Sequence, residues 1–154
     1  MSTQDATGAD GLPAFDLASF TPYRLAVAAK RTSEALSRRY RDRFGISIPE
    51  WRLLVHLAHA GDGTSVRDIE AEIQLERYEV SRTAKRLEER GLLAKTASPA
   101  DRRLVVLRLT DEGRAVMAEL LPLARAYQER IEARLGPAFA GLEAGLDMLL
   151  ADPE

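Results

Sequence analysis

The sequence contains no cysteine. That absence excludes disulfide staples, thiolate zinc sites, cysteine-ligated iron–sulfur centres and a cysteine redox sensor. Histidine is nearly as scarce. His56 and His59 are the two in the chain, and three residues apart on a helix they do not make a zinc site without a third ligand. No metal and no cofactor are therefore expected. No apolar run approaches 18 residues, so the pattern holds no transmembrane helix and predicts no membrane partner. Residues 1–15 include Asp5 and Asp10 but neither Lys nor Arg, unlike a secretory signal, and a cytoplasmic location is the simplest expectation. There is no glycine-rich phosphate loop, and scattered Ser, His and Asp residues do not form a triad without geometry. An enzyme is not expected.

What is present is an ordinary globular composition: 154 residues, 45% hydrophobic and 30% charged. A chain of that length defaults to one domain with a core large enough to do without staples. The net charge of −2 hides a strong segregation. Residues 24–52 carry net +5 and residues 76–108 net +4, while residues 1–23, 53–75 and 109–154 are all acidic. Of the 22 cations, 19 are Arg, which offers planar hydrogen-bond forks rather than point charges. Such unevenness fits either a solvated face or a local anion-binding surface.

Periodicity divides the chain further. Residues 1–16 read as a loose tail. Leu25, Ala29, Thr32, Leu36, Tyr40 and Phe44 form the stripe of a first helix from about Ala18 to Phe44. Ser47 with Glu50 forms a capping box for a second helix, whose apolar side is Trp51, Leu54, Val55, Leu57 and Ala58 and which ends at Gly61-Asp62-Gly63. Ser65 with Asp68 caps a short third helix, with Val66, Ile69 and Ile73 on its inner edge. After a turn through Gln74-Leu75-Glu76, a fourth helix spans Arg77 to Arg90 on a stripe of Val80, Ala84 and Leu87, and Gly91 stops it. The period then switches to two. Leu92–Lys95 and Leu104–Leu109 predict a two-stranded hairpin across Ser98-Pro99-Ala100-Asp101. Thr110 caps a long helix on Leu120, Ala124, Tyr127, Ile131 and Leu135, and a last helix carries Phe139, Leu142, Leu146, Leu149 and Leu150.

The expected fold is mainly α with a small β-hairpin: a three-helix unit closed by the hairpin over residues 47–109, with residues 17–46 and 110–150 as a helical dimerisation region. The terminal helices have too much apolar surface for the small central unit. A second copy of the chain is the favoured cover, and an intramolecular three-helix lobe is the alternative.

The outer face of the fourth helix is Arg77, Tyr78, Ser81, Arg82, Lys85 and Arg86. A helix fits the major groove of B-form DNA, where Arg addresses guanine O6 and N7 with two bonds. Arg77, Tyr78, Ser81 and Arg82 lie on its N-terminal half, suited to base edges, while Lys85 and Arg86 suit phosphates, as does Lys95 on the neighbouring strand. Glu79 either accepts from cytosine N4 or stays solvated. At the hairpin loop, Asp101, Arg102 and Arg103 make a basic tip of the kind favoured in a narrow minor groove, with Asp101 placed to hold a neighbouring guanidinium. An exposed charged turn is the alternative.

In that order and spacing, several short segments resemble the winged helix-turn-helix of the MarR family of bacterial transcriptional regulators. They are Ser65-Val-Arg-Asp-Ile69, Val80-Ser-Arg82, Leu87-Glu-Glu-Arg-Gly-Leu-Leu93, Asp101-Arg-Arg103 and Leu109-Thr-Asp-Glu-Gly113. The resemblance is densest from Ile48 to Gly113 and extends over about residues 18–150. It implies a homodimer on palindromic double-stranded DNA, with the helix matching Arg77–Arg90 in the major groove, the arginine matching Arg103 in the minor groove and the aspartate matching Asp101 steadying the wing. It further implies a repressor released by a small aromatic or phenolic acid. Glu70 stands where the family generally has alanine, Gln74 where a glycine commonly opens the turn, and Glu76 where a serine caps the recognition helix. Tyr23, Arg24, Trp51, His56 and His59 are candidates for an effector pocket, since Arg beside aromatic rings suits an aromatic carboxylate. Trp51 equally suits a core anchor. A winged-helix protein-interaction module with little DNA binding is the competing function.

Overall fold

A computed structural model of the chain describes residues 11–61, 63–72 and 75–151. Asp62, Ile73 and Gln74, and residues 1–10 of the expected tail, lie outside the described residues. The helices are α1 (Thr21–Phe44), α2 (Ile48–Ala60), α3 (Val66–Glu72), α4 (Arg77–Glu89), α5 (Asp111–Leu135) and α6 (Ala138–Ala151). The strands are β1 (Thr64–Ser65), β2 (Leu93–Ala97) and β3 (Val105–Leu109). Two compact units divide the chain, Met1–Ala35 and Leu36–Glu154.

In the first unit, the Asp16 carboxylate accepts the Ala18 amide at 3.0 Å. Hydrogen bonds from Ser19 and Ala18 hold that carboxyl below its usual range. This turn occupies Leu17–Ser19, so α1 starts at Thr21 rather than at Ala18, with Pro22 in its first turn, where its missing N–H costs nothing. Phe15 meets Phe20 edge to face, with centroids 5.1 Å apart.

The second unit is built on local caps that the sequence announces. Ser47 Oγ accepts the Glu50 amide at 3.3 Å and Glu50 Oε2 accepts the Ser47 amide at 2.8 Å, a complete capping box. Ser65 Oγ likewise accepts the Asp68 amide at 3.1 Å. The core beneath these helices gathers Leu53, Leu54 and Leu57 of α2, Ile69 of α3, Val80, Ala84 and Leu87 of α4, and Leu107 and Leu109 of β3. It also takes in Tyr40 and Ile46 before α2, and Met117 and Leu120 of α5. On α2, Leu53 is fully buried while Trp51, Val55 and Ala58 are only partly so. The helix is held on two sides, by α4 and by α5, so its buried arc is wider than a single stripe and takes in Leu53.

The sheet has three strands, not two, in the order β1-β3-β2, all antiparallel. Thr64 pairs with Leu107 and Ser65 with Val106. A two-residue strand has no period to read, which is why the hairpin alone was legible. Gly63, at φ +103°, passes so close over β3 that a Cβ there would press on Val106 Cγ1 at 2.8 Å. Gly63 thereby covers Val106, buried on the face of β3 opposite Leu107, while Val105 on the Leu107 side stays exposed near the wing tip.

The wing is rooted at Thr110. Its hydroxyl donates to the Gly91 carbonyl at 2.6 Å and accepts the Gly113 amide at 3.0 Å, and its own amide donates to the Leu92 carbonyl at 3.2 Å. A Cβ on Gly113 would overlap the Leu92 carbonyl oxygen and touch Leu109 Cδ2 at 3.4 Å. The end of α4, both strand roots and the start of α5 thus meet without room for a methyl group. Further along, Arg43 pairs with Glu119 and the Arg39 guanidinium lies 5.6 Å from the Tyr127 ring centroid, joining the end of α1 to α5. On α6 none of the residues is buried, and Leu142, Met148, Leu149 and Leu150 are exposed.

Two outcomes follow for stability. Gly113→Ala forces the wing root apart and is expected to cost about 1–3 kcal/mol, read as a lower urea midpoint at unchanged slope. Burial pushes the Tyr40 phenol up from 10.0 to about 12, against weaker opposing pulls from Arg41 and Arg52. The fold thus prefers the neutral phenol. Its contribution is complete below about pH 10 and is lost as pH rises toward about 12. Alkaline melts of Tyr40→Phe should lack that part of the decline; an unchanged alkaline limb would exclude Tyr40 as its source.

Candidate nucleic-acid interface

The recognition-type helix α4 buries Val80, Thr83, Ala84 and Leu87 and turns Arg77, Tyr78, Ser81, Arg82, Lys85 and Arg86 outward. Thr83 is a buried position that the apolar stripe did not include. Tyr78 is 72% exposed, and the Arg82 guanidinium rests 5.3 Å from its ring centroid, an arrangement that limits the wandering of a long side chain. Glu76 occupies the N-cap without a side-chain hydrogen bond, so the first amides of α4 gain nothing from it. Glu79, half-buried in the first turn, sits at the positive end of the helix dipole.

The wing tip is closed by short-range bonds. Ser98 and Leu104 are tied by an amide-to-carbonyl bond of 2.8 Å, and the Leu104 amide donates to the Asp101 carbonyl at 2.9 Å. Asp101 Oδ1 accepts the Arg103 amide at 3.0 Å and lies 4.0 Å from Arg103 Nε. Asp101 thus touches Arg103 chiefly through the backbone amide, and the Arg103 side chain stays 95% exposed. Arg102 is exposed beside it.

Between α3, α4 and the wing runs an open cleft of about 670 Å³. Arg67, Glu70, Arg77, Ser81, Lys95 and Arg103 are among its lining residues. Arg77, Ser81, Lys95 and Arg103, nominated separately on a helix, a strand and a loop, therefore share one concave surface. Two of these cations, and Lys85 outside the cleft, already have carboxylate neighbours: Arg77 Nε lies 3.4 Å from Glu70 Oε1, Lys95 Nζ 3.3 Å from Glu88, and Lys85 Nζ 4.0 Å from Glu89. The Lys85–Glu89 pair, with both side chains well exposed, is weak enough to be exchanged for phosphate.

Sequence reasoning passed over Arg67 and Arg90. Arg67 is exposed on α3 and lines the cleft, which its place two residues after the Ser65 cap could have indicated. Arg90, at the α4 C-cap, reads as an ordinary helix-end cation, yet its guanidinium donates to the Phe44 carbonyl at 2.8 Å and the Gly45 carbonyl at 3.2 Å. It also lies 3.5 Å from Glu50 Oε2, on a carboxylate whose side chain is only 7% exposed. Arg90 therefore fastens the end of α4 to the α1–α2 junction, and no local pattern reveals a contact 45 residues away.

Trp51 stacks on Tyr40 with centroids 5.4 Å apart and packs against the core, as a core anchor would. His56 is half-buried and His59 exposed on α2, while Tyr23 and Arg24 are exposed on α1 in the first unit. Among the described residues no group of three or more His, Cys, Asp or Glu is placed to hold a metal ion, and no helix is long and apolar enough to cross a membrane.

A short helix, a turn, a basic helix and a hairpin wing around a common core define a winged helix-turn-helix protein. Residues 44–104 match the family model described as MarR family, which covers the winged-helix segment. An uncharacterized HTH-type transcriptional regulator of Bacillus subtilis (strain 168), YdgJ, is 37% identical over 70 residues, 46% of this chain and 42% of its own length. The chain spans less than half the length of the curated relatives it matches. Among solved structures, the transcriptional repressor CouR, bound to a 23-mer DNA duplex, is 29% identical with a TM-score of 0.72, over 88% of this chain and 93% of that one. The PcaV transcriptional regulator of Streptomyces coelicolor, in complex with its natural ligand, is 28% identical with a TM-score of 0.73, over 92% and 98%. The likeness therefore includes the terminal helices.

Removing the Arg90 fork leaves the largely buried Glu50 carboxylate without that cation and two carbonyls without their donor. Arg90→Ala is expected to destabilise the fold by about 1–3 kcal/mol, and Arg90→Lys, a point charge without the fork, to recover only part of it. Chemical denaturation of both variants checks this; full recovery by Lys would reduce the contact to charge alone.

Proposed function

We propose that the chain is a homodimeric transcriptional regulator that represses by binding palindromic double-stranded DNA. The observation that carries this reading is the shared cleft, where Arg77 and Ser81 of α4 face the same concavity as Lys95 of β2 and Arg103 of the wing. A surface curved over a helix and a basic tip suits a duplex presenting a major groove and the adjoining minor groove. In this reading Arg77, Tyr78, Ser81 and Arg82 meet base edges. Lys85, Arg86 and Lys95 take phosphates, and Arg103 enters the minor groove with Arg102 beside it and Asp101 bracing the tip. The DNA-bound state of CouR supports the partner.

Self-association is supported by the apolar surface that one chain leaves open: Leu12, Phe15, Leu17 and Phe20 in the first unit, and Leu142, Met148, Leu149 and Leu150 on α6. A two-fold dimer presents two winged lobes to two half-sites. Residues 17–46 and 110–150 are the assigned dimerisation region, residues 47–109 the DNA-binding region, and the location is cytoplasmic. Release by a small aromatic or phenolic acid is supported by the ligand-bound state of PcaV. Tyr23, Arg24, His56 and His59 remain the residues to test for it, with Trp51 held first by its stacking on Tyr40.

Gel-shift titrations against DNA from around the chain's own gene test this reading, with a shift that weakens steeply as salt rises. Arg82→Ala should narrow the gap between bound site and random DNA by about 1–3 kcal/mol if its contact is bidentate. Lys85→Ala should lower both affinities alike. Equal losses on both duplexes for Arg82→Ala would remove it from the base-reading set. A chain that shifts no duplex but pulls down a stable protein partner would favour the interaction-module reading.

A further inference from the structure

The cleft between α3, α4 and the wing contains one feature that a surface built only to attract a polyanion would not have. Among its described lining residues, the cations Arg67, Arg77, Lys95 and Arg103 surround a single carboxylate, Glu70. That carboxylate is not a casual surface charge. Its side chain is 21% exposed, against 64% for the Glu89 that neighbours Lys85 and 42% for the Glu88 that neighbours Lys95. Its partner Arg77 is 88% exposed, at the first position of α4. Glu70 is thus the fixed member of the pair and Arg77 the projecting one.

The contact is made at Arg77 Nε, 3.4 Å from Glu70 Oε1. A guanidinium is planar with five N–H groups, and a carboxylate on the Nε side leaves the edge between the two terminal nitrogens unused. Both of its terminal amino groups point outward from that edge, which is the geometry that meets guanine O6 and N7 together. A freely rotating Arg must give up rotamer entropy on binding, and an ion pair at Nε narrows its rotamers beforehand and so lowers part of that cost. The same carboxylate adds a negative charge beside the phosphate track, which weakens binding to every duplex whatever its sequence.

We infer that Glu70 is a positioning residue for Arg77, and that it trades indiscriminate affinity for sequence selectivity in this interface. The inference rests on the DNA-binding reading above. It separates Glu70 from two simpler roles. A carboxylate that merely supports the fold would, on removal, weaken binding to all duplexes together. One that merely repels would, on removal, strengthen binding to all duplexes by the same factor. A positioning carboxylate changes the two affinities unequally.

The test uses the full chain and two probes: a duplex that the wild-type protein selects from a randomised pool, and a scrambled duplex of equal length. Glu70→Ala is expected to bind the scrambled duplex about three- to tenfold more tightly, with a log–log salt slope steeper by about one unit as Arg77 is freed for a phosphate. The ratio of selected to scrambled affinity should fall about tenfold as the fork loses its support. Glu70→Gln keeps an acceptor beside Nε without the charge and should retain more of that ratio. Arg77→Lys keeps the charge without the fork and should lose the ratio with no gain on scrambled DNA. Circular dichroism melts confirm that each variant is folded. Affinities that shift by one common factor in Glu70→Ala, in either direction, overturn the inference while leaving DNA binding intact. A wild-type protein that enriches no duplex and shows no salt-dependent binding overturns the DNA-binding reading and this inference with it.

Discussion

The winged part of the molecule depends on the contact at Leu92, where the backbone of one segment takes the space that a side chain would fill in another. Gly113 brings the first turn of α5 against the Leu92 carbonyl, and Thr110 joins the same point through its amide, its hydroxyl bonding onward to Gly91. A helix end, two strand roots and a helix start converge there, so the direction of the recognition-type helix and that of the wing are set together. The residues needed are few and specific: a hydroxyl that both donates and accepts, and a position with no Cβ. Hydrophobic burial of Leu87, Leu93, Leu107 and Leu109 around that point supplies the driving force, and the polar bonds supply the angle.

The opposite end of α4 is governed by a different chemistry. Arg90 reaches the carbonyls that end α1 and the carboxylate that starts α2. Without it the Phe44 and Gly45 carbonyls at the α1–α2 junction would lose these donors, and the Glu50 carboxylate, which accepts the Ser47 amide, would lose this cation. One guanidinium answers all three. On the outer face of the same helix the arginines are nearly free, limited by a tyrosine ring or a carboxylate neighbour rather than buried. One residue type therefore serves as a structural fastener on one side of α4 and projects into solvent on the other. The difference is made by how much of the side chain water can reach.

Local signals were the most legible in the sequence. Ser47 with Glu50, Ser65 with Asp68, and Thr110 each announce a helix start because cap and amide lie within three residues of one another. Val80, Ala84 and Leu87 announce the buried side of α4 for the same reason, and the basic outer face follows by subtraction. Reading failed where the partner is remote or the segment short. The strand Thr64–Ser65 has too few residues to show a period, and its existence depends on β3, more than forty residues on. Arg90 looks like any cation at a helix terminus. The Glu70–Arg77 pair spans two helices across a turn, so no helical spacing rule connects them. Lys95 could be placed on a strand, but not beside Glu88.

The last helix has a consequence of a different kind. No residue of α6 is buried within a single chain, and four of its large apolar side chains face outward. Where a second copy covers that surface, the folded state is drawn forward by mass action, so its resistance to unfolding rises with the amount of chain present. Cellular dosage then becomes a term in the stability of the molecule: dilution by growth and division would loosen it, and renewed synthesis would restore it, without any other signal.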